Sequence, residues 1–292
     1  LFYVVKYLKD KRYDVIVIGG GIGGYVAAVR LAQEGMRVAL VEREKLGGEC
    51  LNYGCIPTKA LIYFSSIIEK LRRAGKYGIK VSGLSINFGR FLEWRNGIID
   101  KLRRDLRILL IENGVELIEG ESRLKSRREV EVLGKGVLES KYIVIATGSI
   151  PRTIPGFEFD GERIIDSRKA LYLDEIPSTL CIGGGGAIGV EIGQSYARLG
   201  TKVTIVEKMP EVLPSFDARL ARGIRQSLEK MGVEVKLNSD ASNVTSGYER
   251  CIVCVGRRPV EDTLKLKALG IETDESGWVK VDENFRTSVK NI

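Results

Sequence analysis

Apolar and polar positions along the chain fall into one pattern that occurs twice. In the first copy Asp14 is followed by the apolar run Val15-Ile16-Val17-Ile18, a glycine-rich turn over residues 19–24, an amphipathic stretch closed by Gly35, and a second apolar run ending in Glu42. In the second copy Leu180-Cys181-Ile182 leads into a turn over residues 184–189, an amphipathic stretch closed by Gly200, and an apolar run ending in Glu207. Each apolar run reads as a short strand. The helical rhythm between them predicts a β-α-β unit in each copy. Leu61, Ile62, Phe64, Ile67 and Ile68 keep helical spacing, as do Leu102, Leu106 and Leu109. Residues 142–145 and 251–255 read as further strands. The fold class is therefore α/β, with two nucleotide-binding units of doubly wound type.

Both turns carry the spacing G-x-G-x-x-G, through Gly19, Gly21 and Gly24 and again through Gly184, Gly186 and Gly189. The first glycine of each set permits a tight turn, the second lets backbone approach a pyrophosphate, and the third lets helix and strand pack closely. A helix N-terminus behind such a turn offers free N–H groups and a partial positive charge to phosphates. Glu42 and Glu207 each stand 18 residues beyond the third glycine, where an acid accepts from ribose hydroxyls. A single glycine-rich turn is a common feature; strand, turn, helix, strand and acid together, twice, are specific. A 2′-phosphate would be repelled by Glu207, which favours NAD over NADP, although Lys208 adjoins it.

A length of 292 residues fits about two domains. The net charge of +8 is scattered among acids, and the basic group around residues 101–107 shares its helix with spaced leucines, so it reads as a solvated face and nucleic acid is not an expected partner. No apolar run reaches the ~18 residues of a membrane span. Residues 1–10 show no signal-peptide pattern, which points to the cytoplasm. The chain begins on Leu1 rather than Met. Five cysteines without a secretion signal argue against a structural disulfide framework, and the absence of histidine removes the commonest general base.

Cys50 and Cys55 lie five positions apart in a glycine-containing stretch at the start of the predicted helix, where the helix dipole and Lys59 favour thiolates. Two buried cysteines, or two metal ligands, are the alternatives. A metal would need further Cys or His nearby and there are none, so no metal site is expected. Cys251 and Cys254 form a C-x-x-C inside a predicted strand, where positions i and i+3 face opposite sides; they and Cys181 read as core.

The run Gly47-Gly48-Glu49-Cys50-Leu51-Asn52-Tyr53-Gly54-Cys55-Ile56-Pro57-Thr58-Lys59 resembles the active-site segment of dihydrolipoamide dehydrogenases, within the pyridine nucleotide–disulfide oxidoreductases. Ala146-Thr147-Gly148-Ser149, Gly186-Ala187-Ile188-Gly189-Val190-Glu191 and Val255-Gly256-Arg257-Arg258-Pro259 extend the resemblance over essentially the whole chain. It implies two Rossmann-like FAD/NAD(P)-binding domains, the NAD domain inserted in the FAD domain, with bounds near 1–150 for FAD, 151–269 for NAD and 270–292 for the return to the FAD domain. It implies FAD contacts at Gly19, Gly21, Gly24, Glu42, Gly47, Gly48, Ser122, Thr147, Gly148 and Ser149, and NAD contacts at Gly184, Gly186, Ala187, Ile188, Gly189, Glu207, Ala241 and Gly256. Cys50 and Cys55 become a redox disulfide, with Cys55 against flavin and Cys50 toward substrate. Lys59 becomes a buried lysine near flavin, paired with Glu191 of the other domain. The implied reaction carries electrons from dihydrolipoamide, free or on a lipoyl domain, through the cysteines and FAD to NAD. Mercuric reductases share the cysteine segment and are the alternative; a nucleotide-binding protein with little turnover is another. Relatives continue beyond this sequence into a third flavin motif and a dimer-forming domain with a His-Glu dyad, so the chain reads as C-terminally incomplete. Residues 243–250 read as a shortened connection.

Overall fold

The computed structural model describes residues 11–243, 247–260 and 264–292. The readings of residues 1–10, and part of that of residues 243–250, lie outside them. In chain order the elements are β1 (Arg12–Ile18), α1 (Ile22–Gln33), β2 (Val38–Glu42), α2 (Gly48–Tyr53), α3 (Cys55–Arg73), α4 (Phe88–Glu112), β3 (Glu116–Glu119), β4 (Ser122–Leu124), β5 (Glu129–Val132) and β6 (Gly136–Ile145). They continue with β7 (Ser149–Pro151), β8 (Ile164–Asp166), α5 (Ser167–Leu171), β9 (Thr179–Gly183), α6 (Ala187–Leu199), β10 (Lys202–Val206), α7 (Ala218–Lys230), β11 (Glu234–Lys236), β12 (Arg250–Val253) and β13 (Arg257–Pro259).

The chain divides into two compact units. The first holds Leu1–Asn52, Asp100–Ile150 and Arg258–Ile292; the second holds Tyr53–Ile99 and Pro151–Arg257. In the first, six strands run in the order β3-β2-β1-β6-β5-β4. β1 lies between β2 and β6, parallel to both, with Val15 opposite Val38 and Tyr142. Its unbroken apolar run has a simple cause. Ile16 and Ile18 enter one core with Ala39, Val41, Leu138 and Ile143, whereas Val15 and Val17 enter another with Val38, Leu40, Leu106 and Leu110. A strand covered on both faces has no position at which a polar residue would be solvated.

The second unit repeats this with the fully parallel order β11-β10-β9-β12-β8. Leu180 and Ile182 of β9 pack with Val190, Ile192 and Tyr196 of α6, while Cys181 turns to the opposite core with Phe157, Cys251 and Val253. Cys251 and Cys254 are thereby assigned to different cores, and both are free thiols, as is Cys181.

The bounds differ from the sequence expectation in two places. Residues 53–99 cluster with 151–257, because Ala60, Leu61 and Ile68 of α3 and Phe91 of α4 enter the same core as α6. The return segment begins at Arg258 rather than residue 270, because Leu264 and Ile271 pack in the core of β1, and the Leu124 N–H donates to the Leu264 carbonyl.

Candidate functional site

The turn after β1 is built by close approach. A Cβ on Gly24 would lie 1.8 Å from the Gly19 carbonyl oxygen, so α1 can rest on β1 only without a side chain there. Gly48 is pressed on the same turn: a Cβ there would lie 2.6 Å from Gly21 Cα. Gly21 caps α1, no side chain bonds the cap, and the first turn carries no acid. The first helical bond runs from the Tyr25 N–H to the Gly21 carbonyl, which leaves the amides of residues 22–24 without an intrahelical acceptor. Such an end is suited to an anion. The Glu42 carboxylate accepts from the N–H groups of Gly20 (2.6 Å) and Glu44 (2.7 Å). Thr147, Gly148 and Ser149 follow β6, whose Ala146 N–H donates to the Ile18 carbonyl at 2.8 Å. Ser122 is buried at the start of β4, two residues after Gly120, whose N–H donates to the Glu42 carbonyl at 2.7 Å.

The second turn copies the first. A Cβ on Gly189 would meet the Gly184 carbonyl oxygen at 2.1 Å, and Gly186 caps α6 with no side-chain bond. Glu207 accepts from Gly185 N–H at 2.6 Å and Met209 N–H at 2.8 Å. Above this turn opens a cavity of about 800 Å³. Gly184, Gly186, Ala187, Ile188, Glu207, Ala241 and Gly256 all line it. Gly189 lies beneath the helix start, and Glu191 points elsewhere. The lining also includes residues that the motif did not indicate, among them Lys208, Asp240 and Ser242. Lys208 Nζ stands 3.9 Å from Asp240. Hydrogen bonds from the Ser242 hydroxyl and N–H hold the Asp240 carboxyl below its ordinary range, helped by the Lys208 charge. Cys254 also borders the cavity, and burial pushes its thiol up to about 12, with Asp166 contributing. The volume, the free helix end and the acid at the strand end fit a nucleotide.

Cys50 lies in α2, Cys55 opens α3, and the two form a disulfide. The loop before them is fixed by Asn52, 1% exposed, whose amide donates to the carbonyls of Leu46 (3.0 Å) and Gly48 (2.9 Å). The first bond of α3 runs from Thr58 N–H to the Gly54 carbonyl. Pro57 therefore sits in the first turn, where a missing N–H costs nothing. Cys55 Sγ is carried at the positive end of a 19-residue helix with no acid in its first turn. One turn along, Lys59 Nζ donates to both oxygens of Glu191, at 2.6 and 2.8 Å. Both residues belong to the second unit rather than to two different domains. Among the described residues no group of three or more metal-binding side chains occurs, and no helix is long and apolar enough to cross a membrane.

The sequence profile of the pyridine nucleotide-disulphide oxidoreductase family matches residues 13–292. Dihydrolipoyl dehydrogenase of Geobacillus stearothermophilus is 41% identical over 300 residues, covering 96% of this chain and 64% of that protein. Dihydrolipoyl dehydrogenase 2 of Haloarcula marismortui is 37% identical over 304 residues with the same coverage. Among solved structures, the Cu(II) complex of the HOCl-induced flavoprotein disulfide reductase RclA from Escherichia coli superposes with a TM-score of 0.83 at 29% identity, over 96% of this chain and 65% of that one. The chain thus spans about 64% of the length of these curated relatives. With its paired glycine turns and its Cys50–Cys55 disulfide, the chain belongs to the pyridine nucleotide-disulphide oxidoreductase family.

Proposed function

We propose that this chain is the nucleotide-binding, disulfide-carrying portion of a dihydrolipoyl dehydrogenase that takes FAD in its first unit and NAD in its second. The observation that carries this is the disulfide at the N-terminus of α3, in a chain that repeats one phosphate-cradling turn. FAD would be held by the turn at Gly19, Gly21 and Gly24, by Glu42, by Gly47 and Gly48, and by residues 147–149. NAD would be held in the cavity above Gly184 and Gly186, where Glu207 offers lone pairs to ribose and negative charge against a 2′-phosphate. When bound, FAD supplies the two-electron link between the dithiol and NAD.

The chain's own chemistry is thiol–disulfide exchange. A thiolate of dihydrolipoamide attacks Cys50 Sγ, the Cys50–Cys55 bond breaks, and Cys55 leaves as thiolate. The second substrate thiolate then attacks the substrate sulfur bonded to Cys50, releasing oxidised lipoamide and the Cys50 thiol. Two electrons and one proton have passed to the protein, and the second proton of the dithiol has gone to solvent. Cys55 is the better leaving group because the α3 N-terminus stabilises its thiolate. Lys59, held by Glu191, places a cation one turn along the same helix. A dithiol or lipoyl-domain substrate, a homodimer and a cytoplasmic setting complete this reading, supported by the dihydrolipoyl dehydrogenases it resembles.

The test is spectroscopic. Purified chain supplied with FAD is expected to turn yellow and, on adding dihydrolipoamide, to develop a long-wavelength charge-transfer band that Cys55→Ser abolishes. A protein that takes up no FAD, or one whose Cys55→Ser variant keeps the band, would refute the assignment.

A further inference from the structure

Tyr53, between the two redox cysteines, is gripped from two sides by one short helix. Tyr172, which caps α5, stands against it with ring centroids 6.2 Å apart at 58°. The guanidinium of Arg168, one turn earlier in α5, lies 4.8 Å from the Tyr53 ring centroid. Tyr172 in turn carries the guanidinium of Arg95 at 4.3 Å. Arg95 is 2% exposed and anchored by bonds to the Leu171 carbonyl and, at 2.9 Å, to Asn96 Oδ1. The result is a continuous stack, Arg168–Tyr53–Tyr172–Arg95, with all four residues in the second unit. Its spacings are those at which cation–ring and ring–ring contacts attract.

The position of Tyr53 gives this stack a consequence. α2 ends at Tyr53 and α3 begins at Cys55, so Gly54, with φ −127° and ψ −100°, is the single non-helical link between the two cysteine-bearing helices. While the disulfide is closed, the covalent bond restrains that link. Once it is reduced, nothing covalent does, and a glycine has more backbone freedom than any other residue. The stack fixes the residue immediately before the link to the unit that carries Cys55.

We propose that the Arg168–Tyr53–Tyr172–Arg95 stack holds the two thiols within reach of one another after the disulfide opens, and so sets the equilibrium between disulfide and dithiol. These are positioning residues; none is assigned contact with substrate. The inference rests on reading Cys50–Cys55 as a cycling pair. Loosening the stack lets the reduced loop spread over more conformations, lowers the effective concentration of one thiol at the other, and favours the dithiol.

The experiment equilibrates the full chain with mixtures of reduced and oxidised dithiothreitol. Each turnover moves two electrons and two protons from dithiothreitol to the cysteine pair and closes the reagent's ring. Alkylation and peptide mapping then give the dithiol fraction at Cys50 and Cys55. Tyr53→Leu and Arg168→Met are each expected to shift the constant about tenfold toward dithiol, equivalent to about 30 mV. Tyr53→Phe keeps the ring and is expected to match the wild type. Thermal melts confirm that each variant is folded. Equal constants in all four proteins overturn the proposal, and so does a Tyr53→Phe shift as large as that of Tyr53→Leu, which would assign the effect to the hydroxyl. A parallel arm with dihydrolipoamide separates this inference from the function it rests on. If dihydrolipoamide fails to reduce the wild type while the dithiothreitol shifts appear, the functional reading falls and the stack stands. If it reduces the wild type and no variant shifts, the stack falls alone.

Discussion

A Cβ on Gly189 would stand 2.1 Å from the Gly184 carbonyl oxygen, while one on Gly223 in α7 would meet nothing within 4 Å. The same added methyl group should therefore have opposite effects at the two positions. Gly189→Ala has to push α6 off β9 and is expected to cost about 1–3 kcal/mol, the usual range for overpacking. Gly223→Ala removes unfolded-state freedom at an open helical site and is expected to gain about 0.5–1 kcal/mol. Urea unfolding measures both, and NADH fluorescence titration should show weakened binding for Gly189→Ala alone. A neutral Gly189→Ala would refute the close-packing account. The glycine spacing was legible because it is sequence-local and occurs twice. The glycine spacing leaves out the middle residue of the turn: Gly20 and Gly185 each donate an N–H to a carboxylate 22 positions on, Glu42 and Glu207, so each acid also pins its own turn. That signal was present in the repeat, since the separation is identical in both copies.

Among elements, those with long apolar rhythm were legible and the short ones were not. The helix expected around Leu102, Leu106 and Leu109 is the second half of α4, but its buried seam is Leu106 and Leu110, and Leu109 is exposed. Spacings of three and four residues both suit a helix, so periodicity alone leaves the seam undecided by one position. α5, with five residues, has no period to read, and helices so short are not stable by propensity. What holds it is Asp166, whose carboxylate accepts from the Lys169 N–H at 2.7 Å, together with the burial of Ala170 and Leu171. Asp166→Ala is accordingly expected to cost about 1 kcal/mol in urea unfolding, with Asp166→Ser retaining most of the stability. Equal losses for the two variants would show that the cap does not carry the effect. The same helix presents Arg168 and Tyr172, so the cap supports the grip on Tyr53.

At the scale of the whole molecule, two sheets with unbroken apolar strands followed from the duplicated pattern, because a strand covered on both faces has no polar positions. The assignment of residues 53–99 to the second unit did not follow, since it is decided by which core Ala60, Leu61, Ile68 and Phe91 enter, and no local pattern encodes that. The two units share a further property. Each buries groups that ionise only at high pH. Burial, with a hydrogen bond to Glu116, raises the Tyr13 phenol; burial raises Tyr196, and Cys254 is pushed up to about 12. A bond to Cys251, reinforced by burial, raises Cys181, and the same bond lowers Cys251, which offsets part of that pair's contribution. For a group whose folded value lies above its unfolded one, the native state keeps the proton that the unfolded chain releases. Its contribution is complete below the unfolded value and is lost as pH rises toward the folded one. Stability is therefore expected to fall as pH climbs from about 9 to about 12, with Cys254 contributing about 1 kcal/mol per pH unit. Cys254→Ala removes that group's titration while leaving the phenols. Urea midpoints measured across this window should fall less steeply for Cys254→Ala than for the wild type, whatever its stability at pH 7. Parallel profiles would mean that the Cys254 thiol is solvated and ionises in the folded protein as readily as in the unfolded chain.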